Sequence, residues 1–475
     1  MKPSAAARIA SRRATTHDPP AANATATQMG VPAANREPSM SEKLAVNEHY
    51  LDRLVAAAET RGVEATEDIV SGNGVKLVAK GSSIDGRTRE RLLQHKLHKP
   101  LEACTRIIGG VATRPMDRVA RTLIGKHALL AELCAPPRIE TIEAAFGELR
   151  LTVQLEALVT LYADQAPHKL EHAVGVALVA AALMQEIDAT QPLQPLLIAG
   201  LLHDVGELYI DPTILARGQA LDAAQWRHVA VHPVVAAGLL RELPGAGPAV
   251  ADAVLHHHER LDGFGYPCGR RGDQIPLSGQ VLAMAEMLMG VVESGRSAGQ
   301  HARILLRLMT HEFDRRLLQA VTAAARRSAP VDFTEAALAM PDAASLMQHA
   351  ASQTARLHSL QGLMQRLALL QHPSPGFAEL LQRLDDRLAA LGRAFHSTGL
   401  DQAHKLTGQG WRAPDDLPML CEVWIVLREL HWRLNEFVRE LNWRCEQLPA
   451  PEAEAIGRVV EDELKLATAI EPALA

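Results

Sequence analysis

An adjacent histidine and aspartate, His203-Asp204, close the apolar run from Pro195 to Gly206 (PLLIAGLLHDVG). A run of that composition folds inward, and an ionised carboxylate taken inward without a partner is very costly. A divalent cation is the natural partner. Five further histidines stand around the pair, at His168, His172, His232, His257 and His258. Neutral imidazole is a good nitrogen donor near pH 7, and a carboxylate can bridge two cations through its two oxygens. The pattern predicts a chain that folds so as to bring these segments to one dinuclear centre, with room for a third ion. Such centres suit hydrolysis of a phosphodiester.

The rest of the chain says what scaffold carries the centre. With 475 residues, two to four domains are expected. Apolar residues make up 47% but aromatics only 3%, so the cores must be built from Leu, Ala, Val and Ile. Leu/Ala richness with few β-branched runs favours helix. The fold class expected is all-α: a helical bundle between an N-terminal helical module with a small β-hairpin and a C-terminal helical region. A net charge of −6 excludes a general nucleic-acid-coating role, which needs a basic face, but allows a small nucleotide ligand. The five cysteines are scattered, with no C-x-x-C pair, as expected of free thiols in a reducing cytosol. Nothing reaches the ~18–20 apolar residues of a membrane span. Val174 to Met184 reads as a buried helix, and the N-terminus has no apolar segment of the secretory kind. The expected location is cytoplasmic.

Residues 1–43 read as a disordered tail, and Met40 offers an alternative start. The module over 45–160 should begin with a helix at about 45–62. Asn73-Gly74, between short apolar runs in 66–84, signals a hairpin. Residues 165–330 hold every candidate ligand, with Asp211-Pro212 read as a helix start. Residues 335–475 carry no evident chemistry. There Leu420, Trp424, Leu427, Leu434, Val438 and Leu441 share a helical face, which reads as bundle core or, more sharply, as a surface for a second copy or a signalling partner.

His168 and His172 are four apart and point the same way on a helix. His232 precedes Pro233. His257-His258-Glu259 leads into Asp262-Gly263-Phe264-Gly265-Tyr266-Pro267, whose glycines permit tight backbone near a ligand. His228 and His256 read as lying outside the centre. Glu259 reads either as an acceptor for a ligand imidazole or as solvated. Asp262 either braces the loop or coordinates, and Arg270-Arg271 either attract phosphate or are solvated. Cys268 has no assigned role.

Across about 165–295 these residues resemble the HD-GYP domains of the HD phosphohydrolase superfamily. The likeness includes His172, His203-Asp204, His232-Pro233, His257-His258-Glu259, the loop from Asp262 to Pro267, Gly272 and Ile275-Pro276. That family hydrolyses cyclic di-GMP at a di- or trinuclear iron or manganese site. The resemblance implies His172, His203, Asp204, His232, His257 and His258 as ligands, with Asp204 bridging. It implies a substrate mouth shaped by Gly265, Tyr266 and Pro267, with Asp262 and Arg271 close by. Two divalent ions, or three, with iron or manganese favoured, would be the cofactors, and a cyclic dinucleotide the partner.

The chain also departs from the family. Glu207 stands where the family has a lysine facing the phosphate. Two unit charges about 4 Å apart interact by about 4 kcal/mol at an effective dielectric of 20, so the exchange is not neutral. Glu207 could bind a metal, pair with an arginine, or act in catalysis. Glu286 takes the place of a ligand aspartate, Met289 that of the next aspartate, and Gln280 that of an arginine. His168 takes the place of a third-metal glutamate. Two expectations follow: a metal phosphohydrolase with Asp204 and Glu207 in the reacting centre, or a degenerate relative that binds ligand and signals without turnover.

Overall fold

The computed structural model describes residues 45–111, 116–216, 221, 223–294, 298–328, 341–368, 375–402, 417–445, 453–454 and 456–457. The tail expected over 1–43 lies outside them. Among the described residues the chain is helical, as its composition requires, with strands only in the first module.

Helix α1 (Glu48–Thr60) starts at Asn47, whose side chain accepts the Tyr50 N–H. Short strands β1 (Val63–Ala65), β2 (Ile69–Val70) and β3 (Lys76–Val78) follow. After α2 (Gly86–Leu93) comes β4 (Thr105–Ile107). Strands β2 and β3 form the expected antiparallel hairpin around Asn73-Gly74. A second antiparallel pair, β1 with β4, was not anticipated. It joins three-residue strands 40 positions apart, too short for alternation to register.

Helices α3 (Met116–Lys126), α4 (Ala128–Leu133), α5 (Arg138–Glu148) and α6 (Val153–Asp164) lead to the central layer. That layer is α7 (Lys169–Ile187), α8 (Leu193–Leu202) and α12 (Leu277–Glu293). Between α8 and α12 lie a 3₁₀ turn (Val205–Tyr209), α9 (Ala223–Ala230), α10 (His232–Glu242) and α11 (Pro248–Leu255). Helix α7 is long and apolar enough to cross a membrane by composition, yet it is the central helix of the core, apolar all round and packed on all sides. The expected helix start at Asp211-Pro212 is corrected. Asp211 does accept the Thr213 N–H at 2.8 Å, but the backbone over 212–215 is a turn that never becomes a helix.

One continuous apolar core runs from Tyr50 to Ala325, so the N-terminal module and the ligand-bearing helices share an interior. The module also grips the turn after Asp204. Arg53 donates to the carbonyls of Leu208 (2.9 Å) and Ile210 (3.2 Å), and Tyr50 stacks on Tyr209 with ring centres 5.2 Å apart.

Helices α13 (Ala298–Leu308) and α14 (Arg315–Arg327) precede α15 (Ala343–Ala368), α16 (Pro375–His396) and α17 (Leu417–Cys445). The last three enclose a second core, which includes Trp424, Leu427, Leu434, Val438 and Leu441 from the expected apolar face. Phe264, from the glycine loop well upstream in the chain, is buried in that second core. The C-terminal helices are therefore anchored on the loop beside the histidines.

Candidate metal centre and its mouth

Three of the imidazoles sit where a helix ends. His203 caps α8, His232 follows α9 and opens α10, and His257 follows α11. Helix C-termini leave carbonyls without intrahelical partners. Each ring uses one: His203 Nδ1 meets Gly200 O at 2.8 Å, His232 Nδ1 meets Val229 O at 2.8 Å, and His257 Nδ1 meets Val254 O at 2.6 Å. A carbonyl only accepts, so Nδ1 carries the proton and the Nε2 lone pair is turned inward. His172, on buried α7, meets Glu293 Oε1 through Nδ1 at 2.8 Å and also presents Nε2 inward.

These atoms form two donor groups, His172/His203/Asp204 and Asp204/His232/His257/His258, with the atoms of each group within 4.8 Å of one another. Asp204 belongs to both. Its Oδ2 lies 3.3 Å from His203 Nε2 and 4.0 Å from His172 Nε2, while Oδ1 lies 3.3 Å from His232 Nε2 and 3.6 Å from His257 Nε2. Glu286 Oε2 joins the first group, 3.2 Å from His172 and 3.1 Å from His203. Gly206 makes the convergence possible: a Cβ there would stand 2.1 Å from the His232 carbonyl oxygen.

The electrostatics are those of a cation well. Burial disfavours a charged Asp204, but the His203, His232 and His257 rings hold it well below the usual carboxylate range. Glu286 is likewise pushed up by burial and held well down by His172 and His203. Burial also opposes charge on His172 and His203, yet Glu286 and Asp204 raise them to about 11 and about 10. Burial instead pushes His257 down to about 4 and His258 well below its ordinary value, so both are neutral donors. The inward Nε2 set, the shared carboxylate and the protons drawn into the site all fit two divalent cations.

Other expected residues are placed elsewhere. His168 is outside both donor groups. It is the N-cap of α7, one turn or about 6 Å along the axis from His172, so a shared helical face is not a shared reach. Glu207 is in neither group. Its Oε2 accepts a hydrogen bond from Lys169 Nζ at 2.6 Å. Asp262 accepts the Phe264 N–H at 3.0 Å and faces Arg387 at 3.8 Å, on the side of the C-terminal helices. Arg271 pairs with Glu379 at 3.0 Å on the surface. Glu259 holds no imidazole. It takes the N–H groups of Cys268 (2.6 Å) and Arg270 (2.9 Å) and so ties down the glycine loop. Gly265 packs against that segment, where a Cβ would stand 2.4 Å from Glu259 Cα. Tyr266, followed by the buried Pro267, stacks on His258 with ring centres 4.5 Å apart.

Sequence reading missed four things. Glu293 orients His172. The Tyr162 hydroxyl donates to Asp204 Oδ2 at 2.9 Å. Lys169 donates to the Tyr162 oxygen at 3.2 Å as well as to Glu207. A glutamate in a lysine's place was a signal to look for a cation nearby, and that cation is Lys169. The fourth is α17, taken above to carry no chemistry. A cavity of about 460 Å³ opens beside the centre, with His258, Tyr266 and Glu286 on one side and Arg428, Trp432 and Arg439 of α17 on the other.

Residues 156–317 match the family model described as "HD domain". That stretch of the chain is an HD domain by this match. A cyclic di-GMP phosphodiesterase of Pseudomonas aeruginosa is 34% identical over 117 residues, which is 24% of this chain and 28% of that protein. A 3'3'-cGAMP-specific phosphodiesterase of Vibrio cholerae is 26% identical over 248 residues, 48% of this chain and 54% of that one. The chain thus spans between about a quarter and about half the length of these two relatives. Among solved structures, an HDG"Y"P protein from Bdellovibrio bacteriovorus covers 58% of this chain at 16% identity, with a TM-score of 0.31.

Proposed function

We infer that the HD domain is a metal-dependent phosphohydrolase acting on a cyclic dinucleotide, cyclic di-GMP or a related phosphodiester. The observation that carries this reading is the shared carboxylate, with one oxygen of Asp204 in each of two imidazole groups. His172, His203, Asp204 and Glu286 would hold one cation, and Asp204, His232, His257 and His258 the other. When bound, such ions supply a lowered water pKa and neutralise charge at phosphoryl oxygens.

The chain's own residues set the conditions. The backbone carbonyls of Gly200, Val229 and Val254 and the Glu293 carboxylate fix the tautomers, which keeps four Nε2 atoms available. The Tyr162 hydroxyl fixes the rotation of Asp204, and Lys169 fixes the hydroxyl. Tyr266 covers His258 and keeps water from that side of the rings. Lys169 also returns a positive charge to the neighbourhood that position 207 has lost. That restored cation favours turnover over the alternative of a ligand-binding relative without activity, for which Glu207 is the motive.

The test uses full-length protein reconstituted anaerobically with Mn(II) or Fe(II) and offered cyclic di-GMP and 3'3'-cGAMP. Release of the linear dinucleotide or mononucleotide is the expected result. Protein holding two metal equivalents that binds the dinucleotide and releases nothing would establish the signalling alternative.

A further inference from the structure

The C-terminal helices bury one group of arginines among carboxylates and leave another facing the cavity. Arg433 belongs to the first group: it meets Glu312 at 2.7 Å, Glu429 at 2.8 Å and Glu436 at 3.4 Å. Arg428 belongs to the second, and its Nη1 is buried without a hydrogen-bond partner. Across the cavity the His301 Nδ1 atom is in the same condition. Both side chains line the cavity, so water or a polar ligand that enters it would satisfy them. Arg439 lies flat over the Trp226 ring, 3.9 Å from its centre. Trp226 meets Tyr266 edge-on at 5.3 Å, and Tyr266 is the residue stacked on His258. An aromatic path therefore runs from a candidate metal ligand to α17. Trp432 lines the same cavity and is 47% exposed, with the Arg433 guanidinium 4.7 Å from its ring centre, on a helix whose other apolar residues are mostly buried.

We propose that α17 is the second wall of the substrate site, with Trp432 as a stacking platform for a nucleobase and Arg428 and Arg439 as cations for the half of the dinucleotide away from the metals. The proposal deepens the phosphohydrolase reading and rests on it. Arg428 and Arg439 meet Glu429 and Glu436 only at longer range, and with an exposed indole beside them they make a set that suits a base-bearing anion: indole stacks on any base, and guanidinium forks match phosphate and guanine edges. The cavity volume falls within the ~300–1,000 Å³ of small-ligand sites. These three are substrate-positioning residues.

The test titrates metal-loaded full-length protein with cyclic di-GMP and, separately, with inorganic phosphate, which is small enough to reach the metals without touching α17. Affinities are read as KM and as the inhibition constant of phosphate where the protein turns over, and as Kd where it does not. Trp432→Ala, Arg428→Ala and Arg439→Gln should each weaken cyclic di-GMP by about tenfold to a hundredfold, the worth of one base stack or one charge-assisted hydrogen bond. Phosphate affinity and metal content should hold. Arg428→Lys should recover part of the loss. Trp432 is exposed, so its variant keeps the test alive should an arginine variant misfold. Dinucleotide affinity within twofold of wild type in all three variants would overturn the proposal, as would an equal loss of phosphate affinity, which would mark α17 as a brace. Wild-type protein that holds metal and phosphate but no cyclic dinucleotide would overturn it while leaving phosphodiester hydrolysis standing. Dinucleotide binding through Trp432 in protein that holds no metal would do the reverse.

Discussion

In the HD domain the buried ionisable side chains converge on one point, and their Nε2 atoms and carboxylate oxygens stand 3.1–3.6 Å apart around Asp204 and Glu286. Among the C-terminal helices one group of buried charges is matched inside the protein: Arg433 has Glu312, Glu429 and Glu436, and Arg387 has Glu436 at 2.9 Å. Both arrangements solve the problem of charge in a low-dielectric interior. The first leaves its negative charge to be met by something that enters. The second closes the account within the fold. The difference teaches that burial of charge alone does not mark a site, whereas burial of donors that all face one another does.

The comparison breaks first at Asp204. Asp204→Ala removes a donor from both groups at once, so metal content should fall from two equivalents to fewer than one, with loss of hydrolysis. Two equivalents retained on elemental analysis would refute the ligand assignment. Acid should do the same without mutation. Only neutral imidazole ligates, and the carboxylates that raise His172 to about 11 and His203 to about 10 make protons the competitors of metal. Apparent metal affinity therefore rises with pH. Elemental analysis after dialysis at pH 4 should find the ions gone.

Arg433 is the counterpart on the other side. Arg433→Ala leaves Glu312 and Glu429 without their closest cation and should cost about 3–5 kcal/mol in denaturant unfolding. Metal content per folded chain should be unchanged. A loss of metal in step with stability would mean that the two regions are one electrostatic unit. A smaller effect is expected at Glu293, which touches no candidate metal but holds the His172 ring. Glu293→Gln should weaken metal binding by about tenfold to a hundredfold, the usual cost of losing a carboxylate behind a ligand histidine. Competition with a chelator would read it.

Much of the HD centre was legible because histidine carries its chemistry in its identity. His172, His203, Asp204, His232, His257 and His258 could be named as candidates before any fold was known, and Glu286 through the family resemblance alone. The hairpin at Asn73-Gly74 was legible because its turn needs those residues. Glu293, Tyr162 and Lys169 were not. A glutamate, a tyrosine and a lysine are common on any helix, and only the packing of α6, α7 and α12 turns them toward the centre. The contribution of α17 was hidden for a related reason. Its apolar face reads as bundle core, which it is, and nothing in the order of residues tells that the adjoining face looks across a cavity at Tyr266. Contacts between residues some 170 positions apart have no local signature.

The finest test concerns the pair that replaced the family's lysine. Lys169 Nζ and Glu207 Oε2 are 2.6 Å apart, and both side chains are largely withdrawn from solvent. Glu207→Lys would set two ammonium groups against each other next to the Tyr162 hydroxyl. If the cation is needed and its address is not, this single change should reduce stability by about 1–3 kcal/mol, the cost of stranding a buried charged partner. Lys169→Glu combined with Glu207→Lys puts the lysine where the family has it and the carboxylate where Lys169 was. Contacting residues show interaction energies of about 0.5–3 kcal/mol in a double-mutant cycle, so the double variant should be more stable than Glu207→Lys alone and should keep measurable hydrolysis. If the single variant instead matches wild type in stability and exceeds it in turnover, Glu207 opposes the phosphate and Lys169 does not offset it. A double variant as damaged as the single would show that the lysine must come from α7, because only there does it also hold the hydroxyl that orients Asp204.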